Sequence, residues 1–467
     1  MYKKKSHIHF VGIGGIGMSG IATILKENGY IVSGCDPDTT QDTIAPLKDI
    51  GCHVYHGNNS AQCNDTTIDI LVYIPMYATT IPAITNEITR AQTRGIPTIS
   101  RACMLAELMR SKYSIAITGS HGKTTTTSLI SHILIEAQKD PTIVVGGQLK
   151  NLGTNARAGK GDFLVAEADE SDKSFLELYP CLAVITNIDL EHLETYKDLD
   201  DIKSTFTQFL NNLPFYGKAI ICIDDTNIRS LLPLKNIPSI SYGIEYQADF
   251  SAKNIILNSD HSLFTLYKKG YFQQLGTVTL PLAGKHNIYN ALGAIAVAQE
   301  LDIDFATIVH SLASFRGIER RFSFHGTYKG AEIFDDYGHH PQEIEHTLTV
   351  ARKRARNKLT VVFQPHRYTR TEKLWSDFLT VFSSHAIDTF IITDIYSAGE
   401  YPIATITSHR FAQELALLHP SLTVHYVPFE ESFNQIKRTI AAITTPDDLI
   451  LFLGAGKTHL IAHEMAQ

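Results

Sequence analysis

YSIAITGSHGKTTTT, residues 113–127, runs from an apolar stretch through a glycine-bracketed turn into a helix-period segment that continues to Glu136. Tyr113–Thr118 is predicted as a buried strand and Thr124–Glu136 as a helix. Between them, Gly119, Ser120, His121 and Gly122 offer a run of backbone N–H groups that can cradle phosphates at a helix N-terminus. Lys123 adds a mobile positive charge near the β- and γ-phosphates, and the Thr124 hydroxyl is placed to ligate Mg2+. Position 117 is Ile where GxxxxGK[ST] has glycine, so a shorter P-loop is indicated. Hydroxyl capping of a polar helix start is the plain alternative. Four β-branched residues in a row, Thr124–Thr127, are however poor helix builders, which favours a functional reason for them. The loop, with Thr125, is therefore assigned to ATP.

Upstream, Gly12-Ile13-Gly14-Gly15-Ile16-Gly17 follows the strand Ile8–Val11 and opens a helix over about Ser19–Asn28, before a strand at Ile31–Cys35. Gly12, Gly14, Gly15 and Gly17 permit close backbone approach to a diphosphate, and Asp36 ends the second strand where a carboxylate can accept from a ribose hydroxyl. The pattern suits NAD or any nucleotide diphosphate, and a merely structural glycine turn is the alternative. Downstream, Glu167, Asp169, Glu170 and Asp172 lie just beyond an apolar strand, where one or two can hold Mg2+ through oxygen ligands. A solvated acidic loop is the rival reading. His192 follows a second buried strand, Ala183–Asn187. His286, Asn287 and Asn290 open a helix at spacings that share a face. Asp335-Asp336-Tyr337-Gly338-His339-His340 and His366-Arg367-Tyr368-Thr369-Arg370 both follow apolar strands. Arginines there can pair bidentately with carboxylate or phosphate.

At about 150 residues per domain, 467 residues suggest roughly three domains. Strand–turn–helix openings near residues 8, 113 and 315 place them at 1–111, 112–315 and 316–467. Apolar runs alternating with helical stretches from end to end predict α/β modules with parallel sheets. A net charge of −7 gives no electrostatic footprint for nucleic acid or an anionic membrane. No apolar run reaches the roughly 18–20 residues that span a bilayer. MYKKKSHIHFVGIGG reads as a first strand, not a signal peptide. The six cysteines form no CxxC pair and read as reduced, buried thiols of a cytosolic enzyme.

HFVGIGGIGMSGIA, TGSHGKTTT, AEADESDKSF, TNIDLEHLETY, GKHNIYNALGAIAVA, DDYGHHPQEI, FQPHRYTRT and DIYSAGE occur in that order along nearly the whole chain. The series resembles the Mur ligase family of peptidoglycan amide ligases, and within it the alanine-adding branch. The resemblance implies a Rossmann-like N-terminal domain, a central P-loop-type ATPase domain and a C-terminal Rossmann-like domain. It implies a bacterial cytoplasmic enzyme, monomer or homodimer, with ATP and Mg2+ (or Mn2+), acting on UDP-N-acetylmuramate and L-alanine. The glycines of the first loop and Asp36 would then hold the UDP-sugar. Lys123 would contact the transferred phosphate, and Thr124, Glu167 and His192 would form the metal site. His286, Asn287 and Asn290 match nucleotide positions, and Arg321 and Asp336 match ATP contacts. Tyr337, His339, His366, Arg367 and Arg370 would face the γ-phosphate, the reacting carboxylate or the amino acid. Pro75-Met76-Tyr77-Ala78 stands where the family commonly has a Ser-Ser-Ala-Ile-like turn, and Glu191 where Asp usually precedes the histidine.

The chemistry so implied converts a carboxylate to an acyl phosphate, which an amine attacks to give an amide. It needs a phosphate cradle, Lys123, Mg2+ and cations round the developing charge, with Arg321 among them. His192 and His339 are the candidate bases for the amine. Parts spread over three modules predict domain closure before chemistry. Three rivals stand beside this: a related ligase attaching a recycled murein tripeptide, an NAD-dependent oxidoreductase and a non-catalytic nucleotide sensor.

Overall fold

His7–Val11 is the middle strand of a five-stranded parallel sheet, ordered His53–His56, Ile31–Asp36, His7–Val11, Ile70–Tyr73, Thr98–Ser100. In this computed structural model residues 6–57, 63, 67–150, 153–192, 195–269, 274–430 and 432–466 are described. All five residues of the middle strand are buried, as expected of a parallel strand covered on both faces. The helix Ile16–Glu27 follows directly, with Met18, Ile21, Ala22, Ile24 and Leu25 turned inward at helical spacing.

The second sheet has ten strands, with Tyr113–Thr118 between Leu182–Ile185 and Phe163–Glu167 and parallel to both. Register pairs Ile117 with Glu167 and Thr118 with Ile185. The carboxyl ends of three strands, distant in sequence, thus lie side by side, where ligands collect in open α/β sheets. The parallel expectation fails at one border, where Thr142–Leu149 and Thr154–Arg157 form an antiparallel pair. The strand–helix alternation fails over residues 239–280, where four strands succeed one another with no helix between them among the described residues, the first two paired in parallel. There Phe250–Leu257 has three buried residues followed by a half-exposed run, so no continuous apolar face calls for a covering helix.

The two sheets share one compact unit, which comprises the chain to Ile256, Leu263–Pro281 and Asn287–Arg316. Inside it the first helix lies on the antiparallel pair: Asn155 Nδ2 donates to Ile16 O at 2.6 Å and Ala158 N to Glu27 Oε2 at 2.9 Å. A β-carbon on Gly20 would stand 3.2 Å from Ala156 Cβ, so this approach depends on glycine.

Leu257–Ser262, Leu282–His286 and Gly317–Gln467 make the second unit. Its sheet runs Ser323–Tyr328, Ala331–Asp336, Leu449–Leu453, Leu359–Phe363, Thr389–Ile392, Thr423–Tyr426, antiparallel only in the first pair. Phe363, Phe382, Phe390 and Phe411 pack on one face, and Val362, Ile391, Ile450 and Phe452 on the other. Each such fully buried side chain contributes ~1.5–3 kcal/mol. Pro75-Met76-Tyr77-Ala78, which stands where the family commonly has a turn, opens the short helix Pro75–Thr80 with proline in its first turn, a position whose missing N–H has no intrahelical partner to lose. Among the described residues no helix is long and apolar enough to cross a membrane.

Candidate active site

The first glycine loop is held by the carboxylate that ends the neighbouring strand. Gly14 N donates to Asp36 Oδ2 at 2.8 Å, while Asp38 N and Gln41 Nε2 occupy Oδ1 at 3.0 and 2.9 Å. Both oxygens of Asp36 are thus engaged within the protein, and the carboxylate shapes the loop. Gly12 takes a φ of 79°, and a β-carbon on Gly14 would come 2.9 Å from Asp36 Oδ2. Gly15 caps the helix without a side-chain bond, leaving its first N–H groups to an incoming anion. At Gly17 a β-carbon would lie 2.7 Å from Arg101 Nη1. Arg101, which sequence reading passed over, also pairs with Asp169 at 3.5 Å.

The second loop is stitched to the neighbouring strand end. Thr186 Oγ1 donates to His121 O at 2.6 Å, His121 N to Asn187 Oδ1 at 2.8 Å, and Asn187 Nδ2 to His121 O at 3.0 Å. Ser120 Oγ accepts from Asp189 N at 2.9 Å. His121 Nε2 lies 3.4 Å from Asp189 and 3.5 Å from Glu191. Gly119 (φ 129°) and Gly122 (φ 81°) have conformations unfavourable to other residues, and their β-carbons would collide with Thr186 Oγ1 and with Asn290 Oδ1. Thr126 Oγ1 reaches Asn290 Oδ1 at 3.3 Å, and Asn290 Nδ2 donates to Asn287 Oδ1 at 3.2 Å. The helix Lys123–Glu136 begins at a glycine with no side-chain cap, and Thr124–Thr127 are all buried. The hydroxyl-cap reading of the threonine run therefore does not hold.

Lys123 Nζ donates to Gly119 O at 2.7 Å, Ser120 O at 3.2 Å and Glu170 Oε1 at 2.7 Å. Burial opposes its charge, yet Glu170 and Asp169 hold the ammonium above the usual lysine range. Glu170 is 2% exposed, and its Oε2 has no hydrogen-bond partner among the described residues. His192, at a φ of 55°, brings Nε2 to 3.5 Å from Glu170 and 3.6 Å from Glu191. Glu170, Glu191 and His192 form a set able to hold a cation. Glu167, the carboxylate read from sequence, ends its strand nearby over Gly146, whose β-carbon would stand 2.5 Å from Glu167 Oε2. It is not a member of the three-residue set.

The second unit gathers most of the remaining candidates. Asp336 Oδ2 accepts from Phe322 N at 2.8 Å and Oδ1 from Gly338 N at 2.7 Å. Burial pushes its carboxyl up to about 6, against the pull of Arg321. Arg321 Nη1 lies 3.7 Å from Glu343, and both Arg320 and Arg321 stack over the Tyr337 ring, at 4.8 and 5.6 Å. His339 meets the rings of Tyr337 and His366 at 5.3 and 5.9 Å. Desolvation, with Arg370 and His366 beside it, holds His339 well below the usual histidine range, and His366 is pushed down to about 4. His366 stacks on Tyr396, and Arg370 Nη1 lies 3.2 Å from His366 Nδ1. Arg367 Nε donates to Glu400 Oε1 at 2.6 Å. His286 stacks on His346 at 5.1 Å and is pushed down to about 3, mainly by desolvation. It belongs to this unit, whereas Asn287 and Asn290 belong to the other. Arg320, Glu343, Tyr396 and Glu400 were missed. Glu400 and Tyr396 lie in the DIYSAGE motif, whose spacing gives no sign of which side chain it presents.

Three family descriptions match the chain in order: Mur ligase family, catalytic domain (residues 7–113), Mur ligase middle domain (117–298) and Mur ligase, glutamate ligase domain (320–456). Relatives named UDP-N-acetylmuramate–L-alanine ligase include those of Geobacter sp. strain M21, 46% identical over 100% of this chain and 98% of the relative, and Syntrophus aciditrophicus, 45% identical over 99% and 93%. The UDP-N-acetylmuramate-alanine ligase MurC of Thermotoga maritima superposes with a TM-score of 0.81 at 27% identity, covering 98% of each chain. A murein peptide ligase of Psychrobacter arcticus shares the fold, with a TM-score of 0.74 at 23% identity over 99% and 98%. With all three sheets matched in sequence order, this chain belongs to the Mur ligase family.

Proposed function

We propose that this chain joins L-alanine to UDP-N-acetylmuramate with conversion of ATP to ADP and phosphate, a step of peptidoglycan precursor synthesis. Identity of 46% over the full length to a ligase of that name carries the reading. The glycine loop at 12–17, with Arg101 over Gly17, supports UDP-sugar diphosphate binding there, and Asp36 sets its shape. The loop at 119–125, with Asn287 and Asn290, supports ATP binding. Family membership leaves the oxidoreductase and sensor readings without support, and full-length identity to alanine ligases disfavours the tripeptide ligase.

A divalent cation fits the set of Glu170, Glu191 and His192, since the buried Glu170 Oε2 is left without a hydrogen bond among the described residues, and the Thr124 hydroxyl and Glu167 are the further oxygens proposed to serve it. When bound, Mg2+ supplies a Lewis acid for the phosphate oxygens. Lys123, held on the Gly119 and Ser120 carbonyls, neutralises charge developing on the transferred phosphoryl group. Arg321 and Asp336 take part in holding ATP, and His286 stands among the nucleotide positions. Arg367, fixed by Glu400, and Arg370, beside His366, orient the carboxylates of the acceptor and of L-alanine. Tyr337 lines this group under Arg320 and Arg321. The depressed pKa of His339 keeps its imidazole neutral near pH 7, so it can accept a hydrogen bond from the incoming alanine amine, while its low proton affinity makes it a weak base for the ammonium.

The test is phosphate release with ATP, Mg2+ and UDP-N-acetylmuramate across a panel of L-amino acids and small peptides. Release that depends on L-alanine is expected. Release with a tripeptide alone would move the chain to the recycling branch.

A further inference from the structure

His9, Cys35, Cys63 and Glu87 meet inside the first sheet, in a place that neither nucleotide loop uses. His9 and Cys35 lie on adjacent parallel strands and Glu87 on the helix Pro82–Thr93. Exposure is 0% for His9 and Cys35, 4% for Cys63 and 1% for Glu87. An imidazole nitrogen, two sulfurs and a carboxylate oxygen all lie within 4.8 Å of one another. His9 Nε2 stands 3.1 Å from Glu87 Oε1, and Cys35 Sγ 3.4 Å from each Glu87 oxygen. Ligands ~2.0–2.3 Å from a tetrahedral Zn2+ are about 3.3–3.8 Å apart, so the Cys35–Glu87 edges already have the required length and the His9–Glu87 edge is slightly short of it.

We propose that His9, Cys35, Cys63 and Glu87 form a closed, structural Zn2+ site in the first sheet domain, a reading independent of the ligase activity. The donor set is one that a borderline-soft, tetrahedral cation accepts, and four protein ligands leave no position for a substrate. The surroundings agree. Val11, Leu71, Ile84, Ile88 and Ala91 enclose the two cysteines in an apolar cluster, where a carboxylate is costly unless paired or metal-bound. The far ring nitrogen, His9 Nδ1, is 2.8 Å from Ser33 Oγ, whose next neighbour is His7 Nε2 at 2.7 Å. Such an outer partner fixes the orientation of a ligating histidine. Binding displaces the two thiol protons and the His9 Nε2 proton shared with Glu87, all of which leave to solvent, and changes no oxidation state. Because Cys35 precedes Asp36, the ion would tie the strand that shapes the 12–17 loop to the helix Pro82–Thr93.

The full chain, isolated without chelators and supplied with Zn2+, is expected to retain one equivalent by elemental analysis. Cys35→Ser and Cys63→Ser should each lose it, while Glu170→Gln, at the middle-domain cation set, should keep it. Co2+ in place of Zn2+ should give a thiolate-to-cobalt charge-transfer band that Cys63→Ser lacks. Ser33→Ala should lower affinity by ~10–100-fold, and Ser33→Thr should restore it. A wild-type chain that takes up neither Zn2+ nor Co2+ with a thiolate band would overturn the proposal. So would zinc that survives both cysteine substitutions or is lost with Glu170→Gln. A Cys35–Cys63 disulfide in the metal-free chain, or a His9–Glu87 ion pair that persists unchanged with Zn2+ in excess, would do the same.

Discussion

Lys123 and Glu170 make a pair whose strength can be worked from its geometry and then measured by a double-mutant cycle. At 2.7 Å, an effective dielectric constant of ~20 gives a gross attraction of about 6 kcal/mol. Desolvation of both groups offsets much of it, and removal of one partner from a buried pair ordinarily costs ~3–5 kcal/mol. Lys123 keeps the Gly119 and Ser120 carbonyls when Glu170 is changed, and its side chain is 20% exposed. Glu170→Gln is therefore expected to cost about 2 kcal/mol. Lys123→Met leaves Glu170 charged and 2% exposed, with its lysine partner gone, and should cost about 3 kcal/mol. The double variant should fall short of additivity by about 2 kcal/mol, which is a ~30-fold difference in local opening. Amide exchange in the helix Lys123–Glu136 reads this directly, because it reports the opening of that segment and not of the whole chain. The lysine pKa is raised, so its contribution is fully present below the ordinary 10.5 and is lost only as pH rises through the higher folded value. The coupling should therefore be flat between about pH 7 and about pH 9. Additive single variants, or a coupling that decays across that window, would refute the account of how this lysine is held.

Three shorter predictions follow from single contacts. Gly122→Ala forces a φ of 81° on alanine and drives its β-carbon into Asn290 Oδ1; stability should fall by ~1–3 kcal/mol and ATP-dependent phosphate release should be lost, with UDP-sugar binding retained in calorimetry. Arg101→Ala removes the cation over Gly17, and should raise KM for the UDP-sugar about tenfold or more while changing KM for ATP little. Asp336 has a folded pKa of about 6 against an ordinary 3.8, so the protonated carboxyl favours folding. That contribution, about 3 kcal/mol, is complete below the unfolded value and is lost as pH rises through about 6. Unfolding of wild type and Asp336→Asn should therefore diverge across about pH 4–6, and parallel curves would remove the argument.

What the amino-acid sequence disclosed, and what it withheld, divides along the range of the interactions. Leu359–Phe363 and Leu449–Leu453 announce themselves as strands because both faces are buried and every residue but Thr360 is apolar. The phosphate loop is legible for a similar reason: its glycines, lysine and threonines are contiguous, and their conformational demands are local. The metal-side carboxylates are different. Glu167 and Glu170 lie within one acidic run, and choosing the partner of Lys123 requires knowing how the chain turns after the strand Phe163–Glu167. Asp36 was legible in position, but its bonds to Gly14, Asp38 and Gln41, which shape the loop, were not. Arg101 and Asp169 meet across 68 positions of sequence, and His9 and Glu87 across 78. Such pairs carry no spacing signal, because a parallel sheet brings together whichever strands its crossover order makes neighbours. The same crossover order makes both polar clusters in the first unit specific. Each draws on elements that are separate in the chain, so neither forms until the strands have chosen their neighbours. A carboxylate buried in such a place, Glu170 or Glu87, opposes folding until its partners arrive. The polar residues that the sequence conceals are thus the ones whose burial is compensated only by the complete sheet, and substitution there should test topology as much as chemistry.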